Sequence, residues 1–206
     1  MVNPWKEISL SDYENHMSLD SVKQLQSLNL TMKEQFNDYD VNTVMIMGIA
    51  GGNGLEHVNV NKYCKVFGID INDDYLMAVT ERYNDLSGVL ECLNIDILNE
   101  SNQLPEAELI IANLLIEYVG YEAFAKAVAK VKPRYVSCVI QINEKEKQWV
   151  SDSPYIHAFD GLDRVHCQME ENELTTTMNK AGYKLIKKIR DTLPNGKSLV
   201  RLDYER

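Results

Sequence analysis

The chain has 206 residues, 45% of them apolar and 25% charged, which suits one α/β domain with a buried core and a modest appendage. Its formal net charge of −10 repels phosphate backbones and argues against nucleic acid as a partner. No apolar run approaches the roughly 20 residues that cross a bilayer, and Met1 to Glu7 lacks the basic-then-apolar layout of a signal peptide. A cytoplasmic protein with no membrane partner is therefore expected, and nothing fixes an oligomeric state.

Residues 1–41 are polar and helix-friendly. Leu19, Val22, Leu25, Leu28 and Met32 recur at spacings of three and four, the stripe of one amphipathic helix with Ser18 as its N-cap. This segment is expected to be a helical extension lying on a core formed by residues 42–206. From residue 42 the pattern alternates. Thr43 to Met47 reads as a buried strand, followed by the turn Gly48-Ile49-Ala50-Gly51-Gly52-Asn53-Gly54 and a helix over Leu55 to Val60. Val66 to Asp70 is a second strand, and Asp73 to Tyr83 a helix with Asp73 and Asp74 favouring its N-terminus. Val89 to Ile95 and Glu108 to Ala112 are the third and fourth strands, the latter apolar enough to be covered on both faces. A helix over Tyr121 to Val131 stops before Pro133, and Tyr135 to Ile142 is a fifth strand.

Asn143 to Gln168 shows little periodicity, and loops that long are usually functional. A helix over Glu170 to Lys180 follows. Tyr183 to Arg190 and Ser198 to Tyr204 are strands joined through Pro194-Asn195-Gly196, a hairpin signal. The alternation of Lys184, Lys187, Lys188 and Arg190 marks a solvated strand face. Cys64, Cys92, Cys138 and Cys167 form no CxxC pair and are expected to be reduced and buried. Together these elements predict an α/β protein: a Rossmann-like, seven-stranded, mostly parallel sheet with an antiparallel C-terminal hairpin, helices on both faces and an N-terminal helical extension.

A glycine turn between a first strand and a helix lets a ligand approach the backbone. The turn ends without the Gly-Lys-Ser/Thr of a P-loop, and it matches G-x-G-x-x-G poorly, with Ala50 and Asn53 at two glycine positions. Asp70, 22 positions beyond Gly48, ends the second strand, where a carboxylate accepts hydrogen bonds from ribose hydroxyls. That does not separate S-adenosylmethionine from NAD. The Gly48, Ala50, Gly52 spacing resembles motif I of the class I S-adenosylmethionine-dependent methyltransferases. Asp96 at the end of the third strand and Ala181-Gly182-Tyr183 before the terminal hairpin extend the resemblance over about 42–206.

The resemblance implies S-adenosylmethionine as cofactor and 42–206 as its binding domain. Gly48, Ala50, Gly51, Gly52, Asn53 and Gly54 would cradle it. Asp70 would meet the ribose, with Ile71 beside it among the cofactor-binding residues, Asp96 and Ile97 the adenine, and Asn113 and Leu114 the methionine end and the substrate mouth. One position departs from the family, which carries an acid where this chain has Ile46.

Methyl transfer from a sulfonium is an in-line displacement, so the protein mainly positions the nucleophile and excludes water. A base is needed only when the nucleophile must lose a proton. Glu117, Tyr118 and His157 are the catalytic candidates. Trp5, Tyr13 and His16 stand on the N-terminal segment, which the resemblance implies to be a lid over the substrate, and Tyr155, Phe159, Asp160, Asp163 and His166 in the long loop. Each has an ordinary reading as well: Glu117 as an acid at a helix start, the histidines as surface or packing residues. His157, Asp160, Asp163 and His166 recur every three residues, but Asp160-Gly161 interrupts any helix, so no metal is expected. Asn113-Leu114-Leu115-Ile116 lacks the prolines and aromatic of enzymes that methylate nucleic-acid amino groups, which favours a small-molecule acceptor. The alternatives are a nicotinamide-dependent oxidoreductase and a non-catalytic S-adenosylmethionine-binding protein.

Overall fold

Seven segments pair into one sheet in a computed structural model that describes residues 2–143 and 149–206. They are β1 (Thr43–Met47), β2 (Lys65–Asp70), β3 (Leu90–Asn94), β4 (Leu109–Asn113), β5 (Tyr135–Ile142), β6 (Lys184–Thr192) and β7 (Ser198–Glu205), in the order β3-β2-β1-β4-β5-β7-β6. β3, β2, β1, β4 and β5 run parallel, and β7 lies antiparallel between β5 and β6, with Val136 opposite Tyr204. The strand order reverses between β1 and β4, which opens a crevice beyond their C-terminal ends.

The helices are α1 (Leu10–Ser18), α2 (Gln24–Asp38), α3 (Asp73–Arg82), α4 (Ile97–Glu100), α5 (Ile116–Val131) and α6 (Glu171–Lys180). Strand side chains alternate between faces, so β1 and β4 feed two cores. Met45, Met47, Ile110 and Ala112 pack with Phe124, Ala127 and Val128 of α5 and Leu174 and Met178 of α6. Val44, Ile46, Leu109 and Ile111 pack with Met32 and Phe36 of α2 and Leu76 and Val79 of α3. Double coverage explains why these strands read as unbroken apolar runs.

A buried polar network ties α2 to the sheet. Asp203, fully buried, accepts from Arg201 Nε (3.0 Å) and Nη2 (2.6 Å), from Ser137 Oγ (2.5 Å) and from the Tyr39 hydroxyl (2.6 Å). Gln35 donates to Ser137 at 2.8 Å and exchanges amide hydrogen bonds with Asn113 at the mouth of the crevice.

Several expectations need correction. Ser18 is the last residue of α1, which is capped instead by Ser9 accepting from the Asp12 N–H. The single predicted helix is broken between Ser18 and Gln24, where Lys23 takes a left-handed conformation (φ 56°). Leu55 to Val60 forms only a 3-10 turn over Leu55–His57, because Asn59 draws the chain into a new turn, accepting from Asn61 N through its side chain and from Lys62 and Tyr63 N through its carbonyl. α5 begins at Ile116, but Gly120 (φ 76°, ψ 164°) kinks it, so the regular helix starts at Tyr121. The long loop contains a 3-10 stretch, Ile156–Arg164, and its residues 144–148 lie outside the described residues. All four cysteines are free, but only Cys138 is buried; Cys92 is half-buried and Cys64 and Cys167 are exposed. Among the described residues no helix is long and apolar enough to cross a membrane.

Candidate functional site

The glycine turn leaves β1 with a backbone that alternates in hand. Gly48, Ala50, Gly52 and Gly54 all have positive φ, at 73°, 46°, 79° and 92°. Every second residue is left-handed, which requires little or no side chain there, and Ala50 is the one position that tolerates the strain. Gly52 and Gly54 serve packing. A Cβ on Gly52 would meet the Tyr83 ring at 2.8 Å, and one on Gly54 would meet Met32 Cβ at 2.5 Å. Asn53 is tied to the helix above, donating to the Leu25 carbonyl (2.9 Å) and accepting from Asn29 (3.0 Å).

Gly48 and Ala50 line the crevice, a pocket of about 690 Å³ open to solvent, together with Asp70, Ile71, Asp96, Ile97, Asn113 and Leu114. Gly51 and Asn53 line a neighbouring cleft that shares Gly48, Ala50 and Asn113. Asp70 braces the turn. Its Oδ2 accepts from Ala50 N (2.9 Å), and its Oδ1 from Ile71 N (2.8 Å) and Asn72 N (3.0 Å). Burial pushes this carboxyl up and the three N–H donors pull it down, with burial dominant. Oδ2 carries one hydrogen bond and retains capacity for a ligand hydroxyl. Asp96 caps α4, accepting from Leu98 N (2.9 Å) and Asn99 Nδ2 (2.7 Å). The Asn113 side chain turns toward Gln35, and Leu114 follows it in a left-handed conformation (φ 55°).

The N-terminal segment covers the crevice. Asn3, Trp5 and Tyr13 line it, and Trp5 meets the edge of Tyr118 with ring centroids 4.8 Å apart. Asn72 holds the Trp5 carbonyl (2.9 Å) and the Tyr75 hydroxyl holds that of Ile8 (3.0 Å). A clasp closes over the glycine turn: Glu14 of α1 pairs with both Nη atoms of Arg82, and Arg82 Nη1 also donates to the Gly51 carbonyl (3.2 Å). A Cβ on Gly51 would overlap Glu14 Oε1. Ile46 is buried under α2, so the carboxylate that reaches this turn from outside the sheet comes from α1.

A second cavity, also open to solvent and of about 540 Å³, shares Trp5, Tyr13, Leu114 and Tyr118 with the first and extends to His16, Glu117, Gln141, Trp149, Phe159 and His166. Glu117 is 3% exposed, and burial pushes its carboxyl up to about 7. Burial raises the Tyr118 phenol as well, so it stays protonated. His16 and His166 are lowered to about 4, chiefly by burial and secondarily, in part, by the Lys197 charge, so both are neutral at pH 7. His166 stacks on Trp149 at 3.9 Å, and Trp149 Nε1 donates to Asp163 (2.8 Å).

The candidate His157 lies outside this arrangement. Its side chain is 89% exposed and its partner is Asp160 at 3.3 Å on the same 3-10 stretch, which turns both outward. Among the described residues no group of three His, Cys, Asp or Glu side chains could hold a metal ion. Glu14, Arg82, Gln35 and Gln141 were not singled out from the sequence. Gln141, at the C-terminal end of β5, occupies a position where open α/β sheets present functional groups, and that signal was available. The others meet their partners across 68 and 78 positions and have no local signature.

No family model matches the chain, and no curated protein matches it. Solved structures do. The N-methyltransferase NodS from Bradyrhizobium japonicum WM9, in complex with S-adenosyl-L-homocysteine, superposes with a TM-score of 0.66 at 12% identity, covering 96% of this chain and 97% of that one. Magnesium protoporphyrin IX methyltransferase from Synechocystis PCC 6803 with bound S-adenosylmethionine gives 0.60 at 10% identity, covering 89% and 78%. The cyclase SpnF gives 0.66 at 9% identity, covering 87% and 80%. The chain therefore has the Rossmann-like fold of the class I S-adenosylmethionine-dependent methyltransferases.

Proposed function

We propose that this chain is an S-adenosylmethionine-dependent methyltransferase acting on a small molecule. The observation that carries the reading is the crevice at the β1/β4 switch point, where the left-handed glycine turn, the Asp70 carboxylate and the helix-capping Asp96 converge on one pocket. Two of the similar structures hold S-adenosylmethionine or S-adenosyl-L-homocysteine, which supports the same choice of ligand here. The residues fit it: Asp70 Oδ2 has capacity for ribose hydroxyls, Asp96 and Ile97 border the adenine end, and Gly48, Ala50, Asn113 and Leu114 border the methionine end. The sulfonium supplies an electrophilic methyl carbon.

The chain's own work is placement and exclusion of water. Segment 2–41 acts as the cover, its Trp5 and Tyr13 forming, with Leu114 and Tyr118, the wall common to both cavities. The second cavity is the acceptor site. Its aromatic lining and the acidic chain as a whole suit a small molecule better than a polyanion. Calorimetric titration with S-adenosylmethionine, and with NAD as control, tests the reading. Binding of S-adenosylmethionine alone is expected, with Asp70→Ala weakening it at least tenfold. No binding at millimolar cofactor would overturn it.

A further inference from the structure

Among the described residues, Glu117 Oε2 is the only buried side-chain oxygen or nitrogen without a hydrogen-bond partner. Its twin, Oε1, accepts the Gln141 N–H at 2.7 Å, which fixes the carboxylate from behind. A buried carboxylate oxygen left in this state is costly unless a donor arrives from elsewhere. The second cavity, which Glu117 lines, is where one can arrive. Its described lining contains no lysine or arginine, and Glu117 is its single carboxylate. Five of the other lining residues are aromatic: Trp5, Tyr13, Tyr118, Trp149 and Phe159. An aromatic lining with a lone carboxylate favours a cation over an anion.

We propose that Glu117 receives a protonated amine of the acceptor and takes one of its protons, so that the atom methylated is nitrogen. The inference rests on the methyltransferase reading. An ammonium group gives a proton to Glu117 Oε2 and becomes a neutral amine. The nitrogen lone pair then forms the N–C bond to the methyl carbon as the C–S bond breaks, and the sulfur keeps that electron pair. The products are a methylated ammonium, S-adenosylhomocysteine and protonated Glu117, which returns its proton to solvent.

The surroundings suit this role. Burial, opposed by the Gln141 N–H, holds the Glu117 carboxyl near 7, where both protonation states are accessible at neutral pH. The titratable groups around it are His16 from α1, Tyr13 from α1, Tyr118 from its own helix, Cys138 from β5 and His166 from the segment before α6. At pH 7 all five are uncharged: burial lowers the histidines and raises the tyrosines and the thiol. Lys197 of the terminal hairpin donates to the Trp149 carbonyl (2.6 Å) and Ser151 Oγ (3.1 Å), both on the cavity wall, and is, among the described residues, the one cation whose charge reaches His16 and His166 there.

Calorimetric binding of phenethylamine and tryptamine, against phenylacetate and indole-3-acetate, tests the proposal. Wild type and Glu117→Gln are compared at pH 6 and pH 8, with and without saturating S-adenosylhomocysteine. In wild type the amines are expected to bind at least tenfold more tightly than the acids. Ionisation of Glu117 should strengthen amine binding about tenfold between the two pH values. Glu117→Gln should lose both the preference and the pH dependence while keeping its affinity for S-adenosylhomocysteine. A purely structural glutamate would not move the pH profile. Equal binding of the acids, unchanged amine binding by the variant, or no amine binding by wild type would each overturn the proposal. Should the variant not fold, the wild-type pH dependence and amine-over-acid preference decide it. Failure of S-adenosylhomocysteine to bind would sink the methyltransferase reading instead, while the cofactor-free titrations still decide the role of Glu117.

Discussion

Replacing Glu117 by glutamine should stabilise the protein at pH 8. The folded carboxyl is raised from its usual 4.5 to about 7, so folding favours its protonated form. Stability from this group is full below about 4.5, is lost as pH rises toward 7, and stays lost above it. At about 1.36 kcal/mol for each tenfold difference in proton affinity, the cost of keeping Glu117 ionised at pH 8 comes to about 3 kcal/mol. At pH 5 the folded group is already protonated, and the same linkage gives under about 1 kcal/mol. Glutamine keeps the oxygen that accepts the Gln141 N–H and removes the charge. It also leaves an amide N–H₂ in the place of Oε2, a penalty of about 1 kcal/mol that does not depend on pH. The gain from Glu117→Gln should therefore be about 2.5 kcal/mol larger at pH 8 than at pH 5, and roughly 5–10 °C in midpoint for a chain of this length. Urea denaturation of both proteins at the two pH values measures it. An equal effect at pH 5 and pH 8, or a larger gain at pH 5, would refute the assignment of Glu117 as a buried, raised carboxyl.

Gly51→Ala should break the Glu14–Arg82 clasp, because the added methyl claims the space of Glu14 Oε1. Hydrogen exchange should accelerate across 10–18, and S-adenosylmethionine affinity should fall several-fold; protection unchanged from wild type would show that the clasp does not hold α1. Asp203→Ala leaves the Arg201 guanidinium buried without its main partner, and the Tyr39 and Ser137 hydroxyl protons lose their acceptor. A loss of about 3–5 kcal/mol in chemical denaturation is expected; a loss under about 1 kcal/mol would mean that Asp38 and Glu34 suffice to hold Arg201.

The sheet was legible because its strands obey simple burial rules. Val44 to Met47 and Leu109 to Ala112 are covered on both faces and read as continuous apolar runs, and Pro194-Asn195-Gly196 marked the hairpin. The failures came where local competition decided the outcome. The apolar stripe from Leu19 to Met32 continues through the break after Ser18, since Val22 is buried even though it is not helical. Leu55 to Val60 had helical composition, but Asn59 and Asn61 offered the chain a turn. At the site, the glycine turn, Asp70 and Asp96 stood at strand ends and were therefore visible. Glu117 and His157 were equally visible as residue types, and only burial separates them: one is buried and tied to β5 at the wall of the second cavity, the other points into solvent. The Glu14–Arg82 clasp and the Gln35–Asn113 exchange depend on tertiary placement, which no local pattern encodes.

The outermost strand, β6, carries a further consequence for behaviour at high concentration. It shows Leu185, Ile186 and Ile189 partly to solvent, at 39%, 47% and 42%, on an edge whose backbone is free to pair on one side. Such an edge is a template for another strand. Here the same strand bears Lys184, Lys187, Lys188 and Arg190, and its register slips between Leu185 and Lys187. Lys187 is drawn to Asp38, and Lys188 and Arg190 to Glu171, which anchors the cations along the strand. An identical edge approaching side by side would bring these cations together across a ladder already out of step. These cations thus disfavour fibre-like pairing of two such edges, and neutralising them would make the rim more adhesive.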